Sequence, residues 1–210
     1  MIEVVRIVED QTKLYSYRAT QNAERAAQLE LAIESTKPDN LYPEWHPLIA
    51  TPFRYPPPHT SARFRPPYGK NVFYSSLLEE TALYEHAFHF MRERRHLNIS
   101  TETGTRTVFF VNANAHHAIH IRHEHHFLSI MDKNNYTPSQ HYIEENPNAT
   151  FILYPSCRDP QQRENAAILA IQLLSKNPTW EAPIHYFYNN KKNQLTWIDY
   201  QLLITWAEVE

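Results

Sequence analysis

An α+β fold in one domain, spanning residues 1–210, is what the order of periodic segments predicts. Three observations carry it. Apolar runs of strand length recur along the chain, at IEVVRIV (2–8), VFYSS (72–76), TRTVFFVN (105–112) and TFILYPS (150–156). Segments of strong helix formers are mixed among them. The 210 residues, 42% hydrophobic, suffice for one sizeable core, and no internal repeat or low-complexity stretch marks a second unit.

The elements follow in order. IEVVRIV reads as the first strand. TQNAERAAQLELAIE (20–34) reads as a helix, with Ala23, Ala26, Ala27, Leu31 and Ile33 at loosely helical spacing, and the turn formers of STKPDNLYPEWHP end it. Residues 47–68, rich in proline from Pro47 to Pro67, read as a stiff extended loop in which aromatics and Arg alternate. After the strand at 72–76, Ser76 and Glu79 fit a capping box, which opens a helix running to about Arg95. Its apolar stripe is Leu77, Tyr84, Phe88 and Met91. Glu85 falls in the next row, with Leu78, Ala82 and His89. A carboxylate that close to a core must be paired, solvated by a cleft, or raised in pKa. The runs at 105–112 and 150–156 read as buried strands, ENAAILAIQLLSK (164–176) as an apolar helix, and IHYFYNNKKNQLTWIDY (184–200) as a hairpin.

Composition excludes several function classes. The net charge is −3, and the one cationic cluster, MRERRH (91–96), reads as the end of a helix, where cations suit the macrodipole. No nucleic-acid footprint is expected. A single cysteine, Cys157, excludes a disulfide framework and makes the cytoplasm the expected compartment. Charges interrupt the N-terminal apolar run, so it is not a signal peptide, and no stretch is long enough to span a membrane. The only glycines, Gly69 and Gly104, leave no glycine-rich phosphate loop.

Three constellations carry chemistry. HHAIHIRHEHH (116–126) holds six histidines and Glu124. Strand alternation would put His123 and His125 on one face, but no zinc-box spacing is present, so an exposed strand or loop is the preferred reading and no metal is expected. Cys157 has no local feature that lowers a thiol pKa, so it is not taken as a nucleophile. Arg63, Tyr74 and Glu85 stand at the edges of three successive elements: a proline-rich loop, a strand and a helix.

The chain resembles the RES domain family, named for an Arg, a Glu and a Ser. The segments that carry the resemblance are LIATPFRYPP (48–57), SARFRPPYG (61–69), VFYSSLLEETALYE (72–85) and LYPSCRDPQQRENAAIL (153–169). The resemblance covers most of the chain from about residue 10 to 170. The resemblance implies a bacterial toxin that acts beside an Xre-type antitoxin, with a fold like diphtheria-toxin-type ADP-ribosyltransferases. It implies NAD as substrate, cleaved at the nicotinamide N-glycosidic bond by phosphorolysis, with inorganic phosphate as co-substrate, or by hydrolysis; one branch of the family ADP-ribosylates a protein instead. Carried over, the catalytic set is Arg63, Tyr74, Glu85 and Ser156, with Arg54 as the entry-segment Arg and Asn165 as the later Asn. The chain departs from the family pattern where Ser61 or Ala62 replaces the glycine before Arg63, and in its Cys157, its histidine run and the segment after residue 180.

The residues suit that chemistry. Without a glycine-rich loop, phosphates need side-chain donors, and Arg54, Arg63 and Arg65 on a stiff loop offer planar forks. Loss of nicotinamide builds positive charge on the ribose, which the Glu85 carboxylate stabilises. Tyr74 offers a ring and a hydroxyl, and Ser156 a hydrogen bond to ribose or phosphate. Other readings stay open: protein ADP-ribosylation, a non-enzymatic aromatic-lined binding module, a metalloprotein built on the histidine run, and a homo-oligomer.

Overall fold

The structure, a computed structural model, describes residues 1–10, 20, 22–39 and 41–210. Nine strands form one sheet: β1 (Ile2–Glu9), β2 (Phe73–Ser76), β3 (Thr101–Ala113), β4 (Ile119–His120), β5 (Phe151–Pro155), β6 (Glu164–Ile168), β7 (Trp180–Asn189), β8 (Gln194–Trp197) and β9 (Leu202–Thr205). The helices are α1 (Ala23–Ser35), α2 (Pro47–Arg54), α3 (Glu79–Arg94), α4 (Phe127–Ile130), α5 (Thr137–Glu145) and α6 (Trp206–Val209). The mixture is α+β, as expected. The strand order is β4-β5-β6-β2-β1-β3-β7-β8-β9, antiparallel except for the β4–β5 pair. No helix among the described residues is long and apolar enough to cross a membrane.

Alternation along the central strands sends neighbouring residues to opposite faces. Val5 and Ile7 pack with Val108, Ile184 and the buried side of α3, chiefly Leu83, Ala87 and Met91. Val4 packs on the other face with Phe109, Phe151 and Leu48 and Ile49 of α2. A third cluster joins Phe64, Ile130, Ile152 and Tyr154 at the β5 end.

The register of β1 creates the opening used below. β1 pairs with β3 along its whole length, Ile2 to Glu9, but with β2 only at Val5↔Ser76. β2 instead pairs fully with β6, from Phe73↔Ile168 to Ser76↔Asn165. Beyond Val5 the two halves of the sheet part, leaving a cleft of about 390 Å³ between them.

Four expectations are corrected. ENAAILAIQLLSK is not a helix: residues 164–168 are β6, and a 3-10 turn follows at Ile171–Leu173. Asn165 to Ile168 are buried on both faces between β2 and β5, and such a run carries no period that separates strand from helix. The proline-rich loop begins as α2, because Pro47 occupies its first turn, His46 accepts from the Leu48 N–H, and Leu48, Ile49 and Ala50 are buried. The Ser76–Glu79 capping box does not form: α3 starts after Leu78 with no side-chain cap, and Ser76 Oγ donates to Asn165 Oδ1 at 2.7 Å. The histidine run is exposed, as preferred, with a two-residue strand at Ile119–His120 and a 3-10 turn at Ile121–His123 in place of the strand alternation that a metal site would have used. The first helix runs Ala23–Ser35 rather than 20–34, and Gln21 lies outside the described residues. The predicted hairpin is β7–β8, closed at Asn189↔Gln194.

Candidate active site

The cleft in the split sheet gathers Arg63, Arg65, Tyr74, Glu85 and Asn165. Among the described residues, four guanidinium groups line it, from Arg6, Arg63, Arg65 and Arg158, against the single carboxylate of Glu85. Such a lining favours an anionic ligand.

Glu85 projects from α3, and both hydrogen bonds it accepts fall on one oxygen. Ser156 Oγ and Asn165 Nδ2 each donate to Oε1 at 2.6 Å. Each donor is itself fixed. Asn165 Oδ1 accepts from Ser76, its cross-strand partner. Ser156 Oγ accepts from the backbone N–H of Arg158 at 3.0 Å and of Asp159 at 2.9 Å. The turn that presents those two N–H groups is pinned to α3: Asp159 accepts from Thr81 at 2.8 Å and pairs with Arg163, which also reaches Glu80. Ser156 and Asn165 are each 1% exposed. Glu85 is thereby held in one orientation, and Oε2 accepts no hydrogen bond from any described residue. Ser156 does not itself line the cleft; its hydroxyl is committed to orienting Glu85.

Arg63 and Arg65 flank a tight turn in which Ala62 and Arg65 exchange backbone hydrogen bonds of 2.9 and 3.0 Å. Phe64, at the turn's inner position, has φ 58°, a left-handed conformation that costs a non-glycine residue about 1–2 kcal/mol. Burial of its ring edge-on to Tyr154, with centroids 5.0 Å apart, offsets that cost. The turn needs no glycine where Ser61 and Ala62 stand. Arg63 is largely engaged in structure. Nη1 donates to Ile130 O at 2.9 Å, Nη2 to Asp132 O at 3.0 Å and to Cys157 Sγ at 3.5 Å, and Cζ lies 4.7 Å from the Tyr136 ring. The Tyr74 hydroxyl donates to the Arg63 carbonyl, and burial holds the phenol well above its usual pKa. Tyr74 thus locks the turn while its side chain walls the cleft.

Arg54 is not part of this site. It ends α2, its Nε donates to Pro38 O at 2.7 Å, and it does not line the cleft. The error follows from reading 47–68 as one extended loop. Sequence reasoning also missed Arg6, Tyr136, Tyr154 and Arg158, which the fold brings in from three separate segments. For Arg6 a signal existed: one charge inside an otherwise apolar strand, VVRIV.

Cys157 lines the cleft, donates to Met131 O at 3.3 Å, and has its pKa raised by burial more than Arg63 lowers it. That is the environment of a thiol rather than a thiolate. In the histidine run, the His120 and His123 rings stack at 5.5 Å. Among the described residues no three His, Cys, Asp or Glu side chains are placed to share a metal ion.

A family model described as the RES domain matches residues 40–185, which include every expected site residue. No curated protein matches the chain.

Proposed function

The chain belongs to the RES family, and on that premise we propose that it is a toxin that consumes NAD, breaking the bond between nicotinamide and ribose by phosphorolysis or hydrolysis. The observation that supports this is the carboxylate of Glu85, fixed through Oε1 by Ser156 and Asn165 in a cleft whose lining also carries the guanidinium groups of Arg63, Arg65 and Arg158. A dinucleotide brings what that cleft complements: a pyrophosphate for the arginines and a ribose that becomes cationic in the reaction.

In the proposed step the C1′–N bond breaks and its electron pair passes to the nicotinamide ring, which leaves neutral. The positive charge on the ribose is shared between C1′ and the ring oxygen. Glu85 Oε2, already oriented, stabilises that charge; preorganised groups of this kind contribute about 3–4 kcal/mol. An oxygen of phosphate or of water then bonds to C1′, and water releases a proton. The Arg63 N–H groups not held by the loop, together with Arg65, bind phosphate oxygens, and the Tyr74 ring packs against the nicotinamide half. Ser156 is a positioning residue. An Xre-type antitoxin is the partner that the family reading supplies, and the cytoplasm the compartment.

The test is incubation of purified protein with NAD, with and without inorganic phosphate, followed by product chromatography. Expected products are nicotinamide with ADP-ribose, or with ADP-ribose phosphorylated at the anomeric carbon when phosphate is present. Glu85→Gln should lower kcat by about 10²–10³-fold. Intact NAD overturns the proposal. Label from NAD appearing on a protein band favours ADP-ribosylation, and ligand protection without turnover favours a binding module.

A further inference from the structure

We propose that Arg158 is a positioning residue for Glu85, and that it works by tying the turn 156–159 to α6, a helix outside the matched residues 40–185. The kinetic part of its test rests on the NAD reading; the geometric part does not.

The path starts at α6, which does not itself line the cleft. Thr205 and Glu208 form the capping box that opens this short helix. Val209 is fully buried in the core that α3 shares, and the Trp206 ring stacks on Phe88 of α3, with centroids 5.5 Å apart and planes 16° apart. Arg158 carries the contact into the cleft. Its Nη1 donates to Val209 O at 3.1 Å and its Nη2 to Lys133 O at 3.2 Å, while Cζ lies 3.5 Å from the centroid of the same Phe88 ring. The Lys133 ammonium closes the circuit by donating to Glu210 O. Lys133 O is also the last of four consecutive carbonyls held by side chains of the cleft: Arg63 takes Ile130 O and Asp132 O, and the Cys157 thiol takes Met131 O.

Arg158 is 6% exposed, and its fork is spent on backbone carbonyls rather than on a carboxylate. Burying a cation in that way is costly. What it secures is the path of its own backbone. The Arg158 N–H donates to Ser156 Oγ at 3.0 Å, and Ser156 Oγ donates in turn to Glu85 Oε1 at 2.6 Å. Asp159 anchors the far side of the turn to Thr81 and Arg163, so the Arg158 fork is the anchor on the near side. With that fork released, the turn shifts, the Ser156 hydroxyl leaves Glu85, and the carboxylate loses one of the two donors that fix it. A displacement of about 1 Å at a reacting group costs on the order of 10²-fold in rate.

The experiment uses the full chain with Arg158→Met, Arg158→Lys and Trp206→Ala, the last of which lies outside the cleft. Kinetics on NAD and Tm are recorded for each, with crystal structures of the wild type and both Arg158 variants. The expected result is a fall in kcat of about tenfold or more in all three, with KM changed by less than about twofold, and loss of the Ser156–Glu85 hydrogen bond in the crystals. Arg158→Lys keeps a cation over Phe88 but has one nitrogen at its tip, so it does not span the two carbonyls and should not restore kcat. Where Arg158→Met does not fold, Arg158→Lys carries the same comparison. Arg158→Met combined with Trp206→Ala should be no slower than the slower single variant, because both break one path; losses that multiply would separate α6 from Arg158 and overturn the proposal. A retained Ser156–Glu85 bond overturns it too, as does a lowered Tm with wild-type kcat, or a rise in KM alone, which would make Arg158 a ligand contact. If the wild type leaves NAD intact while the variants lose the Ser156–Glu85 bond, the positioning role stands and the NAD reading fails.

Discussion

Ser156 shows how a side chain out of reach of a ligand can govern one that is within reach. Its Oγ accepts two backbone N–H groups and passes its own proton toward Glu85. Ser156→Ala removes a donor from the carboxylate and strands the N–H groups of Arg158 and Asp159. The expected loss is about 1–3 kcal/mol of stability, read by denaturant unfolding. A fall in kcat for NAD with little change in KM should accompany it, since the hydroxyl touches the orientation of Glu85 and not the substrate. A KM effect alone would instead place Ser156 in the binding surface.

At the scale of elements, the long β3–β7 pair shows a fit the sequence does not announce. Gly104 stands opposite Tyr186, and a Cβ there would lie 2.6 Å from the Tyr186 hydroxyl, which donates to Glu102 at 2.6 Å. Gly104→Ala should cost about 1–3 kcal/mol by forcing the ring aside, measured by thermal or denaturant unfolding. Unchanged stability would mean that the ring relocates freely. β1 and β3 were readable because short apolar runs rich in Val, Ile and Phe mark them. β6 was not, since Asn165–Ile168 are buried on both faces and Ala-rich, which suits a helix equally well. The same limit applies to the site. Arg63, Tyr74, Glu85, Ser156 and Asn165 were found through segment order and resemblance. Arg6 and Arg158 join them only because the sheet divides at Val5 and the turn after β5 is pinned to α3. That is information about pairing, which no local pattern contains.

For the molecule as a whole, the junction between α3 and the long-strand half of the sheet carries a pH dependence. His86 neighbours Glu85 on α3, and its Nε2 accepts from Arg106 Nε of β3 at 3.2 Å. Burial first, and then the Arg106 charge, pull the imidazole from 6.5 to about 3. The folded protein therefore holds this ring neutral where the unfolded chain protonates it. The resulting stability is complete above about pH 6.5 and is lost progressively as pH falls toward 3. His86→Gln keeps an acceptor for Arg106 and does not titrate, so Tm should decline less steeply between pH 6.5 and 4 than in the wild type. Parallel curves would show that other groups govern acid unfolding.

The grip of Arg63 on the carbonyls of Ile130 and Asp132 bears on how genetic screens of this chain read out. On the proposed toxin reading, colonies that survive its expression should carry, besides lesions at Glu85, many changes that merely distort the 130–136 segment and let that guanidinium swing away. An alanine at position 63 would join this group, scoring as inactive through collapse of its surroundings. Only a replacement that still spans both carbonyls would separate anchoring from ligand contact, and lysine, with a single nitrogen at its tip, does not span them.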